Sequence, residues 1–299
     1  PQSVQNDLML SLARQAPADV DLIAFPETSV EDNIWEHDMA ASPSVTQFIE
    51  YMRAYYHGAQ AITGATTYRF YPDGVGKSKT ARHRNGIWYD VYNTALSIDS
   101  TDRVTLHHKN KLVIGVEMMP DWAILRPLHS FIVNLGGTTG QLGTDGQFRV
   151  FRHPRPGKGD LLSAAPICYE SVYGQHFATF AAHGAQVMVI ITNDGWWGDT
   201  PGYRQHFSFA RLRAIETRRH IARSANTGIS GFMSPRGDVG KTLGWDVRGT
   251  WTEAVTLHSK TTVYARYGDV IARVGSFVFV LGILYFIVYR VRRWNHLQV

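Results

Sequence analysis

One cysteine, Cys168, ends the apolar run LLSAAPIC (161–168) and precedes Tyr169 and Glu170. A thiol at a strand-to-helix turn suits nucleophilic attack. The turn is expected to expose the sulfur at a sheet edge, and the helix N-terminus to lower its pKa and raise its thiolate fraction. Two other ionisable residues occupy matching places. Glu27 follows DLIAF (21–25), in FPETS, and Lys109 follows residues 103–107, in HHKNK. A carboxylate, an ammonium and a thiol, each just past a strand, can meet in one pocket. Together they support a two-step acyl transfer. Glu27 takes the thiol proton, the sulfur attacks an acyl ester, Lys109 and the Tyr169 N–H stabilise the oxyanion, and an amine resolves the thioester.

Placing these groups requires alternating helices and strands. Helical patterns cover 4–14, 44–56, the stretch after Cys168 to about 183, and 204–221. The last should bury Phe209, Leu212 and Ile215 and turn its arginines outward. Strand patterns cover 21–25, 60–67, 92–98, 103–107, 161–168, 229–233 and 254–257. QVMVIIT (186–192) is the clearest, a β-branched run closed by Asn193-Asp194-Gly195. Such an order predicts an α/β chain of stacked sheets covered by helices. Breaks at 71–80, 136–147 and 154–160 read as surface loops.

Composition removes several classes of function. With 44% hydrophobic and 18% charged residues among 299, the chain is not disordered, and a single cysteine excludes a disulfide scaffold or a cysteine zinc site. The net charge is +5, and setting aside Arg290, Arg292 and Arg293 leaves +2 on the rest. No basic stripe remains, so nucleic acid is not an expected partner. GVGKS (74–78) and VGKT (239–242) carry Tyr71 and Pro235 where a phosphate loop needs its first glycine. His107 and His108 would face opposite sides of a strand, so no metal or cofactor is expected.

Residues 274–289, VGSFVFVLGILYFIVY, are uncharged. At 1.5 Å per residue they reach about 24 Å, and Arg273 and Arg290 can snorkel to complete a span of the ~30 Å hydrocarbon core. The arginines beyond the run mark that end as cytoplasmic, so the body is expected on the extracytoplasmic face, the periplasm in a bacterium. Starting at Pro1, the chain reads as the carboxyl-terminal part of something longer.

PETS around Glu27, HHKN around Lys109 and CYE around Cys168 resemble the Glu-Lys-Cys triad of the carbon–nitrogen hydrolase (nitrilase) superfamily, in the same chain order and over residues 3–265. KNKLVIGVEMMP, CYES, NDGWWGD (193–199) and TVYARYGD (262–269) are similar to its apolipoprotein N-acyltransferase branch. The resemblance implies a nitrilase-like four-layer α-β-β-α sandwich over 1–265, one transmembrane helix over 270–290, and a basic cytoplasmic tail over 291–299. It also implies an accessory glutamate at Glu117, with Glu170 as a second acid, both holding Lys109 and tuning the pocket. Members of the family carry a membrane domain and an opening strand ahead of this region.

The implied acyl donor is a phospholipid of the bacterial inner membrane. The implied acceptor is the amino group of a diacylglyceryl-cysteine that begins an apolipoprotein. Trp122, in the apolar segment 121–137, and Trp88, Trp196 and Trp197, in expected loops, would face lipid and admit the acyl chain. Water in place of the amine would make the same residues a membrane-tethered amidohydrolase. The apolar loop and anchor favour transfer.

Overall fold

The computed structural model of the chain describes residues 1–118 and 141–296, which hold two six-stranded sheets. The first contains β1 (Leu22–Ala24), β2 (Val30–Trp35), β3 (Gln60–Tyr71), β4 (Arg82–Arg84), β5 (Ile87–Ile98) and β6 (Val104–His108). β3 and β5 form its antiparallel spine, in register from Ala61 opposite Ile98 to Tyr71 opposite Trp88. β1 and β2 pair with β3, and β6 pairs with β5. The second contains β7 (Phe151–His153), β8 (Leu161–Ala164), β9 (Val187–Thr192), β10 (His220–Ala225), β11 (Ser230–Met233) and β12 (Val239–Leu243). Its centre, β8-β9-β10, is parallel. All six residues of β9 are buried, as a strand covered on both faces requires.

Helices α1 (Gln2–Ala13) and α2 (Pro43–Tyr55) cover the first sheet, packing Leu10, Phe48 and Met52 against Ile34 and Leu96. The α2 helix starts where Ser42 Oγ accepts the Val45 N–H at 3.2 Å and Pro43 takes the first turn. Helices α3 (Gly174–Ala182) and α4 (Pro201–Thr217) cover the second sheet through Phe177, Phe180 and Ala210 on Met188 and Ile190. Between the sheets lie Ile62, Ala95, Ile167, Cys168, Val189 and Ile191. The result is the α-β-β-α sandwich that the family resemblance implied. A short α5 (Val263–Tyr267) leads into α6 (Val270–His296). Within its stretch Val270–Trp294 an unburied 18-residue window has mean hydropathy 2.3, so the helix is long and apolar enough to cross a membrane.

Four expectations need correction. Helix α4 stops at Thr217, because Arg218 takes a left-handed φ of 52°, and Ile221 belongs to β10. Its buried face is Tyr203, His206, Phe207, Ala210, Arg213, Ala214 and Thr217, whereas Leu212 and Ile215 are 48% and 39% exposed. Arg213 can go inward because the carbonyls of Ser171 and Val172 and the Glu216 carboxylate receive it. Residues 254–257 form no strand; the segment is tied by the Thr256 carbonyl to His220 Nδ1 at 3.0 Å and by the His258 N–H to the Gln186 carbonyl at 3.3 Å. Trp88 lies in β5, its ring tilted 36° against that of His83 at 4.7 Å, with Lys77 Nζ 3.3 Å from its ring centre, so it is a strand residue and not a loop one. The VGKT segment lies in β12.

Candidate active site

Glu27 follows β1 and Lys109 follows β6, two strands of the same sheet. The chain turns at Glu27 through Thr28, at φ 50°, against Gly64 of β3. A Cβ on Gly64 would stand 2.5 Å from Glu27 Cα, so only glycine lets the two backbones approach this closely. Lys109 Nζ donates to Glu27 Oε1 at 2.9 Å and to Glu117 Oε1 at 2.8 Å. Asn93, in β5, donates from Nδ2 to the same two oxygens, at 2.7 and 3.0 Å. Glu27 Oε2 accepts the Asn193 N–H at 2.8 Å, and Glu117 Oε2 accepts the Val113 N–H at 2.8 Å.

Lys109 is fully buried. Burial alone would depress its ammonium, but the charges of Glu27 and Glu117 outweigh it and hold the pKa well above the ordinary value. The group is therefore a fixed cation in a dry site, where a charge acts most strongly.

Cys168 opens a 3-10 turn, Cys168–Val172, just past β8 in the other sheet. Its φ of 47° is left-handed, a conformation costing a non-glycine residue about 1–3 kcal/mol and often found where function demands it. In contrast to the sequence expectation, the side chain is buried, at 2% exposure, and its pKa is raised. Burial is the main cause and the Glu27 carboxylate adds to it, while Lys109 and a hydrogen bond with Thr192 oppose them only in part. The thiol thus stays protonated until a base removes its proton.

Tyr169 sets its ring edge-on to Tyr173 at 5.3 Å, and its N–H is among the first of the turn, which have no acceptor within it. Glu170 does not hold Lys109. Its Oε1 accepts the Asn110 N–H at 2.9 Å and His176 Nε2 at 2.8 Å, while Oε2 accepts the Ile167 N–H at 2.8 Å and contacts His107 Nε2 at 3.2 Å. The carboxylate thereby ties the turn after Lys109 to the turn before Cys168. Although burial alone would raise its pKa, the two histidines hold it far below the usual carboxylate range.

Trp196 and Trp197 stack at 4.2 Å in the short turn Gly195–Trp197, with Trp196 outermost. Trp122 lies outside the described residues. Sequence reasoning passed over Asn93, Asp194, His206 and Arg223. Asn193 and Asp194 read as the close of a strand and the start of the NDGWWGD motif, with no role of their own, and His206 and Asn93 stand alone within regular elements. A sulfur, a carboxylate oxygen and a ring nitrogen of Cys168, Asp194 and His206 lie within 4.8 Å of one another, a set that can ligate a metal. However, Asp194 spends its oxygens on His206 Nδ1 at 2.9 Å and Arg223 Nη2 at 2.8 Å, and a guanidinium beside the site disfavours a cation.

A carbon-nitrogen hydrolase profile matches residues 5–264. An apolipoprotein N-acyltransferase from Chlorobaculum tepidum is 31% identical over 64% of this chain and 36% of its own length. One from Pasteurella multocida is 29% identical over 88% of this chain and 46% of its own length. The chain thus spans less than half of either curated relative. Among solved structures, Saccharomyces cerevisiae Nit3, a member of branch 10 of the nitrilase superfamily, aligns with TM-score 0.53 at 15% identity, over 83% of this chain and 80% of that one. An amidase from Nesterenkonia sp. aligns with TM-score 0.51 at 14% identity, over 82% and 80%. These two share the sandwich, and with the profile running almost throughout it, the chain belongs to the carbon-nitrogen hydrolase family.

Proposed function

We propose that the chain is the catalytic part of an acyltransferase that moves a fatty acyl group from a phospholipid, through a thioester on Cys168, to the α-amino group of a diacylglyceryl-cysteine at the start of an apolipoprotein. The observation that supports this reading is the buried Lys109 ammonium held between Glu27 and Glu117, with the segment after it tied through Glu170 to the turn that carries the buried Cys168. Likeness to two curated apolipoprotein N-acyltransferases supplies the substrate class. Residues 1–265 would form the catalytic unit, 270–290 the membrane span and 291–299 a cytoplasmic tail, with the active site on the extracytoplasmic face of the inner membrane.

Glu27 takes the Cys168 proton as the sulfur attacks the ester carbon, and the carbonyl electron pair moves to oxygen. Lys109 and the Tyr169 N–H stabilise that oxyanion. The ester C–O bond then breaks, and Glu27 returns its proton to the departing lysophospholipid oxygen, leaving acyl-Cys168. In the second half the amine attacks the thioester, gives a proton to Glu27 and displaces the sulfur, which recovers the proton as thiol. Glu117 and Asn93 keep Lys109 and Glu27 aligned. Trp196 and Trp197 are proposed to line the acyl path, with Trp122.

The test is mass spectrometry of the full chain after mixing with phospholipid vesicles. An acyl adduct on Cys168, discharged by a lipopeptide amine, is the expected result. Steady release of free fatty acid, with no amide product, would instead assign hydrolysis.

A further inference from the structure

Asp194, His206 and Arg223 form a buried set behind Cys168 that the two-step chemistry leaves unused. Arg223 Nη2, from β10, lies 2.8 Å from Asp194 Oδ2, and Asp194 Oδ1 lies 2.9 Å from His206 Nδ1. His206 Nε2 reaches the Cys168 carbonyl oxygen at 3.1 Å, and Ser171 Oγ donates to the same oxygen at 2.7 Å. A carbonyl only accepts, so Nε2 carries the hydrogen in that contact. The set is tightly fitted: a Cβ on Gly228 would overlap the Asp194 carboxylate.

The Cys168 carbonyl and the Tyr169 N–H belong to one trans peptide unit and point in opposite directions. Whatever fixes the carbonyl therefore aims the N–H. Cys168 stands at φ 47°, where a non-glycine residue stays only if its surroundings hold it. Two donors hold it here, and one is anchored through a carboxylate to a buried guanidinium.

We propose that His206, braced by Asp194 and Arg223, is a positioning residue that turns the Cys168–Tyr169 peptide so that the Tyr169 N–H faces the developing oxyanion, an inference that rests on the reading of Cys168 as acyl carrier. His206 touches no reacting atom and moves no proton. Its effect falls on oxyanion stabilisation and leaves the reactivity of the thiol unchanged.

That separation gives the experiment. On the full chain, acylation of Cys168 by a p-nitrophenyl ester forms an oxyanion, whereas alkylation by iodoacetamide displaces iodide and forms none. His206→Leu should slow acylation about 10²–10³-fold, the cost of losing one oxyanion donor, with KM and the alkylation rate held within about twofold. His206→Gln, whose amide N–H can reach the same carbonyl, should recover most of the loss. Ser171→Ala should show a smaller loss of the same kind, and it carries the comparison if His206→Leu does not fold. Wild-type acylation in both His206→Leu and Ser171→Ala, or equal falls in acylation and alkylation, would overturn the proposal. If wild-type protein forms no acyl-Cys168 at all while alkylation proceeds, the nucleophile reading falls, and the role of His206 with it.

Discussion

Lys109 bridges two carboxylates that reach it from different parts of the chain, and each is itself bonded to a backbone amide. Replacing the lysine therefore does more than delete a catalytic charge. Lys109→Ala leaves Glu27 and Glu117 buried and facing each other, and should destabilise the fold by about 3–5 kcal/mol, as well as abolish acylation. Cys168→Ser should abolish thioester formation with thermal stability nearly unchanged; wild-type transfer by this variant would remove the sulfur from the mechanism. A second residue-scale effect concerns acid. Burial opposes ionisation of Asp194, but His206 and Arg223 hold its pKa down to about 2. A carboxylate depressed in the folded state stabilises at pH above its unfolded value and loses that contribution as pH falls through the folded one. Asp194 should thus supply about 2 kcal/mol at neutral pH, lost between roughly pH 4 and 2. Acid unfolding of Asp194→Asn, followed by circular dichroism, should lack that component.

At the scale of elements, β9 was legible as a β-branched run closed by turn residues and the strands before Glu27, Lys109 and Cys168 as short apolar or extended runs, and with them the positions of those three residues. Helix α4 was legible as a helix but not in its rotation. Periodicity searches for apolar residues, whereas this helix buries His206, Arg213 and Thr217, whose partners come from the Cys168 turn, from Asp194 just past β9 and from the helix itself. Hydrogen bonds decide that face, and they cannot be seen until the neighbours are in place. Two substitutions read the rotation directly. Leu212→Gln should change stability by less than about 0.5 kcal/mol, while Ala214→Leu should cost about 1–3 kcal/mol by overpacking, each measured by chemical denaturation. The β1 turn admits a similar test. Gly64→Ala would force the Glu27 backbone aside and should reduce acylation sharply while the Cys168 turn stays intact.

At the scale of the molecule, the proposed function divides the work between the sandwich, which holds the candidate site, and α6, which is long and apolar enough to anchor it. The composition of α6 made it legible, as a run without charges bounded by arginines. Two arginines at Val280 and Ile283 should each cost about 2.5–3.5 kcal/mol at the centre of a span. The double variant should leave the membrane fraction and lose transfer from vesicles, yet still acylate Cys168 from a soluble ester. Retention in the membrane with full transfer would show that α6 is not the anchor.

Glu170 carries a consequence for biogenesis. Because one carboxylate grips the amides of both Asn110 and Ile167, the base-and-ammonium half and the sulfur half are assembled by the same contact. A nascent chain in which the two sheets have not yet docked holds a protonated, unpartnered thiol with nothing beside it to draw off its hydrogen. On the proposed mechanism, the machinery that activates the sulfur is thus completed only when the tertiary structure is.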